Sequence, residues 1–190
     1  MSGNTLDSER LRLRPATADD IPLLYEWYSQ PELGALYDGL QFSASHPDLF
    51  AEEFQLWLES DAELDYAGAY ILELKPDGKP IGECSWMLVQ RTGPDSPDVY
   101  QVGGLIGPPE LRGQGYGSET LRVLRNFLFS ERGAHRLEAM TGAFNTGAMR
   151  TLHRNGFTRE GVLRETLLIN GIWHDRVIFS LLRSEWERLS

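Results

Sequence analysis

The period of hydrophobic and polar positions changes several times along this chain, and each change marks an element. Leu11-Arg12-Leu13-Arg14 alternates apolar and polar residues, the pattern of a half-buried strand, and Pro15 ends it. Thr17-Ala18-Asp19-Asp20 supplies helix N-cap chemistry, and Pro22 is tolerated in a first turn. Ile21, Leu24, Trp27 and Tyr28 then recur at helical spacing, so a first helix is predicted to about residue 29, broken by Pro31 and Gly34. Residues 30–46 read as a long connection bearing Leu33, Leu36, Tyr37, Leu40 and Phe42. Those side chains either line a substrate cleft or pack the loop onto the core. A second helix is predicted over 45–60, with Phe50, Phe54, Trp57 and Leu58 on one face. The acidic run Glu59, Asp61, Glu63, Asp65 reads as a solvated turn.

Strands are predicted over 69–74 and 81–89, joined by the turn signal Pro76-Asp77-Gly78-Lys79. After a Gly/Pro/Asp-rich loop at 91–98, a strand over 99–106 completes a meander. Gly103-Gly104 within it points to a bulge or to a close ligand approach. Pro108-Pro109 removes two N–H donors, so the ladder cannot simply continue. A third helix over 114–131 gathers Leu121, Leu124, Phe127 and Leu128, and Gly133 stops it. A short strand over 135–140 follows, then a fourth helix that Asn145 caps and Asn155-Gly156 closes. Residues 157–168 are extended, Asn170-Gly171 is a hairpin signal, a last strand spans 173–182, and 184–189 is a terminal helical turn. The expected organisation is a loose arm over 1–9 and a single domain over 10–190. Its class is α+β, with a central mixed sheet and helices on both faces.

One stretch carries candidate chemistry. In Arg112-Gly113-Gln114-Gly115-Tyr116-Gly117-Ser118, glycines alternate with larger residues between a strand and a helix start. Glycine lets backbone approach a ligand, and the first N–H groups of a helix suit a phosphate. Arg112 adds a fixed positive charge with forked donors. No Lys-Ser/Thr pair follows, so this is not a P-loop, and the spacing G-x-G-x-G argues against a dinucleotide fold. The glycines alone also fit a plain strand-to-helix turn.

Composition narrows the rest. The 190 residues, 41% hydrophobic and 24% charged, are ordinary for a globular chain long enough to bury a core. A net charge of −10 disfavours a general nucleic-acid binder. It either draws cationic partners or serves solubility alone. Cys84 is the only cysteine, which excludes an internal disulfide and a multi-cysteine metal site. Lying in an apolar run, it reads first as an inert buried thiol and second as a nucleophile. His46, His135, His153 and His174 are scattered, so no metal is expected. The polar N-terminus lacks a signal-peptide core and no long apolar run is present. No membrane span and a cytoplasmic location are therefore expected.

With those residues in view, a resemblance becomes visible. The run from Gly103 to Glu119 is similar to the acetyl-CoA-dependent N-acetyltransferases of the GNAT superfamily, whose Q/R-x-x-G-x-G/A turn corresponds to residues 112–117. Leu11 to Pro15, Asn145-Thr146-Gly147-Ala148, Asn155-Gly156-Phe157, Glu160 to Arg164 and Asn170 to Asp175 resemble its Rim-type branch, the ribosomal-protein N-terminal acetyltransferases. The resemblance spans residues 10 to 186. It implies a mostly antiparallel sheet splayed between the fourth and fifth predicted strands, and acetyl transfer from acetyl-CoA to an amine by direct attack. It implies a coenzyme site made by Leu105, Ile106 and Gly107 along the pantetheine, and by Arg112, Gly113, Gln114, Gly115, Tyr116, Gly117 and Ser118 at the pyrophosphate. Asn145 corresponds to an Asn near the pantetheine end, although a helix-cap role explains it equally. The Ile106 N–H corresponds to the group that polarises the thioester carbonyl.

The departures are informative. Many such enzymes protonate the thiolate with a Tyr where Leu152 stands, the Rim-type branch has Ser where Ala148 stands, and a Glu is common where Gln101 stands. Solvent or another residue must then return the proton. Glu83 and Glu138 are the candidate bases, since a carboxyl buried in an apolar strand is raised toward a useful range, while an ordinary solvent-facing strand residue is the alternative for each. Glu165 and Asp175 are candidates for holding a cationic substrate. The leading acceptor is a protein or peptide N-terminus. A small amine such as an aminoglycoside or polyamine is the second, since the segment Leu24 to Trp27 and the acidic charge resemble the aminoglycoside 6′-N-acetyltransferases. A non-catalytic acyl-CoA-binding protein is the third. The resemblance allows a homodimer.

Overall fold

A computed structural model describes residues 5–30, 46–64, 66–90 and 98–189. The elements are β1 (Leu6–Asp7), β2 (Leu11–Pro15), a 3-10 turn at Ala18–Asp20, α1 (Ile21–Tyr28), α2 (Pro47–Leu64), β3 (Ala67–Leu74), β4 (Pro80–Gln90), β5 (Val99–Ile106), a 3-10 turn at Pro109–Leu111, α3 (Tyr116–Ser130), β6 (Arg136–Gly142), α4 (Thr146–Arg154), β7 (Thr158–Ile169), β8 (Ile172–Leu182) and α5 (Arg183–Trp186). The strands form one sheet in the order β1, β2, β3, β4, β5, β6, β8, β7. The pairs β1–β2, β2–β3, β6–β8 and β7–β8 are antiparallel, and β5–β6 is parallel. This is the mixed sheet that the alternating periods predict, and its mostly antiparallel pairing is what the resemblance implies. The parallel register sets Val99, Tyr100 and Gln101 against Arg136, Leu137 and Glu138 and ends there, while β5 runs on to Ile106.

The chain packs as two compact units, residues 1–85 with 104–116 and residues 86–103 with 117–190. In the first, the apolar stripe of α1 forms the core: Leu24, Trp27 and Tyr28 bury with Phe50 of α2, Ile71 of β3 and Leu105 of β5. Arg14 donates to both Asp20 oxygens at 2.8 and 2.7 Å and to Glu73 at 2.7 Å, which ties the entry of α1 to β3. In the second, α3 buries Leu124, Phe127, Leu128 and Phe129, β6 buries Leu137 and Ala139, and β8 buries Val177, Phe179 and Leu181. The Phe129 ring stacks on Trp186, with centroids 5.1 Å apart.

Two expectations change. Within the supposed loose arm, Leu6–Asp7 pairs with β2, because Leu6 finds a buried seat and its register falls opposite Leu13. The acidic run expected as a turn is still helical to Leu64: no glycine or proline lies between Leu49 and Ala67, and charge alone does not end a helix. The readings made for 31–45 and for 91–97 lie outside the described residues.

Candidate active site

The Gly107 N–H still reaches Ile81 O at 2.9 Å, but Pro108 and Pro109 then stop the ladder and a 3-10 turn leads to Arg112. Gly113 and Gly115 take φ of +76° and +88°, left-handed conformations that L side chains avoid. α3 begins at Tyr116, so Gly117 and Ser118 lie in its first turn, where N–H groups lack intrahelical partners. Nothing among the described residues explains the identity of Gly117. Its φ is not positive, and a Cβ there would meet nothing within 4 Å. A Cβ at Gly113 would also stand in open space. Bare backbone beside a helix start is the anatomy of an anion cradle. Arg10 grips this turn: its Nη1 donates to Gln114 O at 3.2 Å and its guanidinium lies 4.4 Å over the Tyr116 ring. The Gln114 side chain folds back to Glu110 O at 2.8 Å.

Arg112, expected to add charge at the phosphate, donates to the strand end: Nε to Ile106 O at 3.0 Å, and Nη2 to Gly107 O and Gln30 Oε1, both at 2.6 Å. The carbonyls freed where β5 leaves the sheet thus gain a cationic donor. Gly107 is buried, and a Cβ there would overlap the Trp27 indole. At Gly104 the structure gives a reason other than a bulge or a ligand. A Cβ on Gly104 would stand 2.8 Å from Glu83 O, and one on Gly82 would overlap Leu105 O, so glycine serves the close approach of β4 to β5. Leu105 is buried and Ile106 half-buried.

The two candidate bases have unlike surroundings. Glu83 is 2% exposed, and Tyr28 Oη donates to its Oε1 at 2.7 Å. Burial pushes its carboxyl up to about 7, against the opposing bonds from Tyr28 and Ser85. Glu138 is half-buried and accepts from Arg136 Nε at 2.8 Å, while the other arm of Arg136 pairs with both oxygens of Glu160. The Glu138 carboxylate is thus matched by a guanidinium, whereas Glu83 has no ionic partner among the described residues. Cys84 is buried, and burial together with the Glu83 charge holds its thiol well above the usual range, the condition of an inert thiol. Asn145 caps α4, its Oδ1 accepting the Ala148 N–H at 3.0 Å. Leu152 is buried in α4. Asp175 accepts the Glu165 N–H at 2.9 Å. Among the described residues there is no cluster of three His, Cys, Asp or Glu fit to hold a metal ion, and no helix is long and apolar enough to cross a membrane.

The profile of the acetyltransferase (GNAT) domain family matches residues 10–158. The chain belongs to the GNAT acetyltransferases. It is 36% identical over 136 residues to the probable N-acetyltransferase YjcK of Bacillus subtilis (strain 168), covering 72% of this chain and 71% of that one. It is 26% identical to the aminoglycoside N(6')-acetyltransferase type 1 of Klebsiella pneumoniae, over 84% of this chain and 79% of that one. Among solved structures, the ribosomal L7/L12 alpha-N-protein acetyltransferase RimL, bound to coenzyme A, superposes with a TM-score of 0.80 at 19% identity, over 94% and 98% of the two chains. Fold and family thus agree with the resemblance read from residues 103–119 and 145–175, and the protein is an N-acetyltransferase of the GNAT type.

The family's donor, acetyl-CoA, fits the residues present. The open backbone at Gly113 and Gly117 leaves room that no described residue fills, and Arg10 and Arg112 bond the chain on either side of Gly113. Sequence reasoning missed Arg10, Trp27, Gln30 and Tyr28. Tyr28 alone offered a signal: a tyrosine on a buried helix face must find a partner for its hydroxyl.

Proposed function

We propose that this GNAT enzyme acetylates the primary amine at a protein or peptide N-terminus by direct attack, with Glu83 accepting the amine proton. Acetyl-CoA supplies the activated acyl group. The turn at 112–118 holds its pyrophosphate, Leu105 to Gly107 line its pantetheine arm, and the Ile106 N–H stabilises negative charge on the acyl oxygen. The acceptor nitrogen forms the N–C bond as the C–S bond breaks, Glu83 removes the amine proton, and solvent returns one to the departing thiolate. The observation that carries this reading is the buried Glu83 carboxyl, half-ionised near neutrality and held by Tyr28. A group with that value accepts a proton readily and releases it again.

The acceptor rests on the Rim-type pattern of the C-terminal half. A second reading, a small polycationic amine, is favoured by the likeness to the aminoglycoside enzyme over 84% of the chain and suits a net charge of −10. Thiol release measured with N-terminal peptides, aminoglycosides and polyamines, with products read by mass spectrometry, separates the two. Turnover of peptides supports the first, and turnover of aminoglycosides or polyamines alone replaces it with the second. Tight acetyl-CoA binding with no transfer to any amine would leave only a binding protein. Glu83→Gln is expected to lower kcat/KM by about 100-fold or more.

A further inference from the structure

We propose that Tyr28 is the positioning residue of the Glu83 base: from the C-terminal end of α1 its hydroxyl holds the Glu83 carboxyl in one orientation and favours its ionised form. This rests on the base assignment made above and deepens it.

The geometry is specific. Tyr28 is the last residue of α1 and is 4% exposed, so its phenol points into the core rather than to water. Its ring packs against Phe50, with centroids 5.7 Å apart, and its hydroxyl meets Glu83 Oε1 at 2.7 Å, across 55 residues of sequence. A tyrosine in a purely apolar role has no use for such a bond, and phenylalanine would fill the same space. The groups that act on Glu83 are few. Tyr28 reaches it from α1, Ser85 bonds it from its own strand, and the Cys84 thiol beside it stays protonated. On β5, Gly104 carries no side chain, and a Cβ there would stand 2.8 Å from Glu83 O. Among the described residues no cation pairs with the carboxylate, and the groups that favour its ionised form are the Tyr28 phenol and Ser85. A hydroxyl that donates to a carboxylate favours the deprotonated state. The same carboxyl is pushed the opposite way by burial. Tyr28 therefore brings a carboxyl that burial would leave protonated at neutral pH back into a range where it accepts the amine proton.

The test is Tyr28→Phe, which keeps the ring and removes the donor. The pH dependence of kcat/KM is compared with that of the parent protein, using one acceptor throughout so that the acceptor's own ionisation is common to both. The acid limb should move upward by about 1 pH unit. The alkaline plateau should stay within a few-fold of the parent and the KM for acetyl-CoA should not change. A merely structural role would lower the rate equally at every pH. A folded variant with an unmoved limb overturns the inference. Glu83→Gln keeps the two layers apart. If it retains the parent rate, the base assignment fails and Tyr28 falls with it. If it is inactive while Tyr28→Phe leaves the limb in place, the base stands and only the role of Tyr28 is refuted. Should Tyr28→Phe be inactive at all pH values, carbon-13 titration of the Glu83 side chain reads the same upward shift directly, and an unchanged midpoint rejects it.

Discussion

Replacing Glu83 by Gln should make the protein more stable as the pH rises, and the size of the gain follows from the environment of the carboxyl. Its folded value is about 7 against an ordinary 4.5, and burial is the cause. The folded state therefore holds the proton more tightly than the unfolded chain does. Between the two values the native protein binds more protons than the unfolded one, so stability falls as pH rises from 4.5 to 7 and is level on either side. Each unit is worth about 1.4 kcal/mol, so the ionised group costs about 3 kcal/mol in full, of which about 2 kcal/mol develops between pH 5.5 and 8. Glutamine has no such titration. Its amide brings its own penalty or gain, but that offset does not vary with pH, and the other carboxylates titrate alike in both proteins. The stability difference between variant and parent should thus grow by about 2 kcal/mol in favour of the variant from pH 5.5 to 8. Urea unfolding at four pH values measures it. A difference that stays flat within about 0.5 kcal/mol would falsify the desolvated state of Glu83, and with it the argument for its role as base.

Three further perturbations address the turn and the strand end. Gly115→Asp adds a side chain at φ +88° and a negative charge beside the anion cradle, so acetyl-CoA affinity should drop by at least about 10-fold in calorimetry; unchanged affinity would reject the turn as the pyrophosphate site. Gly107→Ala drives a methyl into the Trp27 indole and should cost about 1–3 kcal/mol in urea unfolding, whereas a neutral result would mean that the indole sits elsewhere. Asn145→Ala removes the side-chain cap on the Ala148 N–H, for a loss of about 1 kcal/mol; a loss of coenzyme affinity at unchanged stability would instead favour its pantetheine role.

The periodic elements were legible because their causes are local. The alternation at 11–14, the turn at Pro76-Asp77-Gly78, the apolar face of α3 and the cap at Asn145 each announce themselves within a few residues. The failures have long-range causes. β1 is two residues long, too short for any period, and exists only because β2 offers it an edge. The donor fork of Arg112 was visible, but its acceptors depend on how the chain leaves β5 at Pro108 and Pro109. Glu83 stood out as a carboxyl in an apolar strand, while Glu138 looked equivalent until Arg136 was placed beside it. The period of α1 put Tyr28 on the buried face and gave no hint of what its hydroxyl meets.

That pairing also explains why a costly carboxyl is placed in this part of the sheet. Glycine at 82 and 104 lets the β4 and β5 backbones approach closely on either side of Glu83, whose side chain is buried. A packing device alone would be served better by an apolar residue, since a buried carboxyl raised to about 7 destabilises the fold as it ionises. A surface network is no explanation either, because the charged partners lie elsewhere: Arg14 is committed to Asp20 and Glu73, and Arg112 to the strand-end carbonyls. What the structure shows is a carboxyl held off water, bonded by the Tyr28 phenol and raised to about 7, which suits the proposed base. Stability given up at Glu83 and proton affinity gained there are the same free energy. Unfolding of Glu83→Gln and the acid limb of the parent's pH profile must therefore report the same titration, whereas the profile of Tyr28→Phe asks separately whether the phenol governs it. A variant that recovers stability with rising pH while the profile of Tyr28→Phe stays unmoved would confirm the buried charge and deny that Tyr28 governs it.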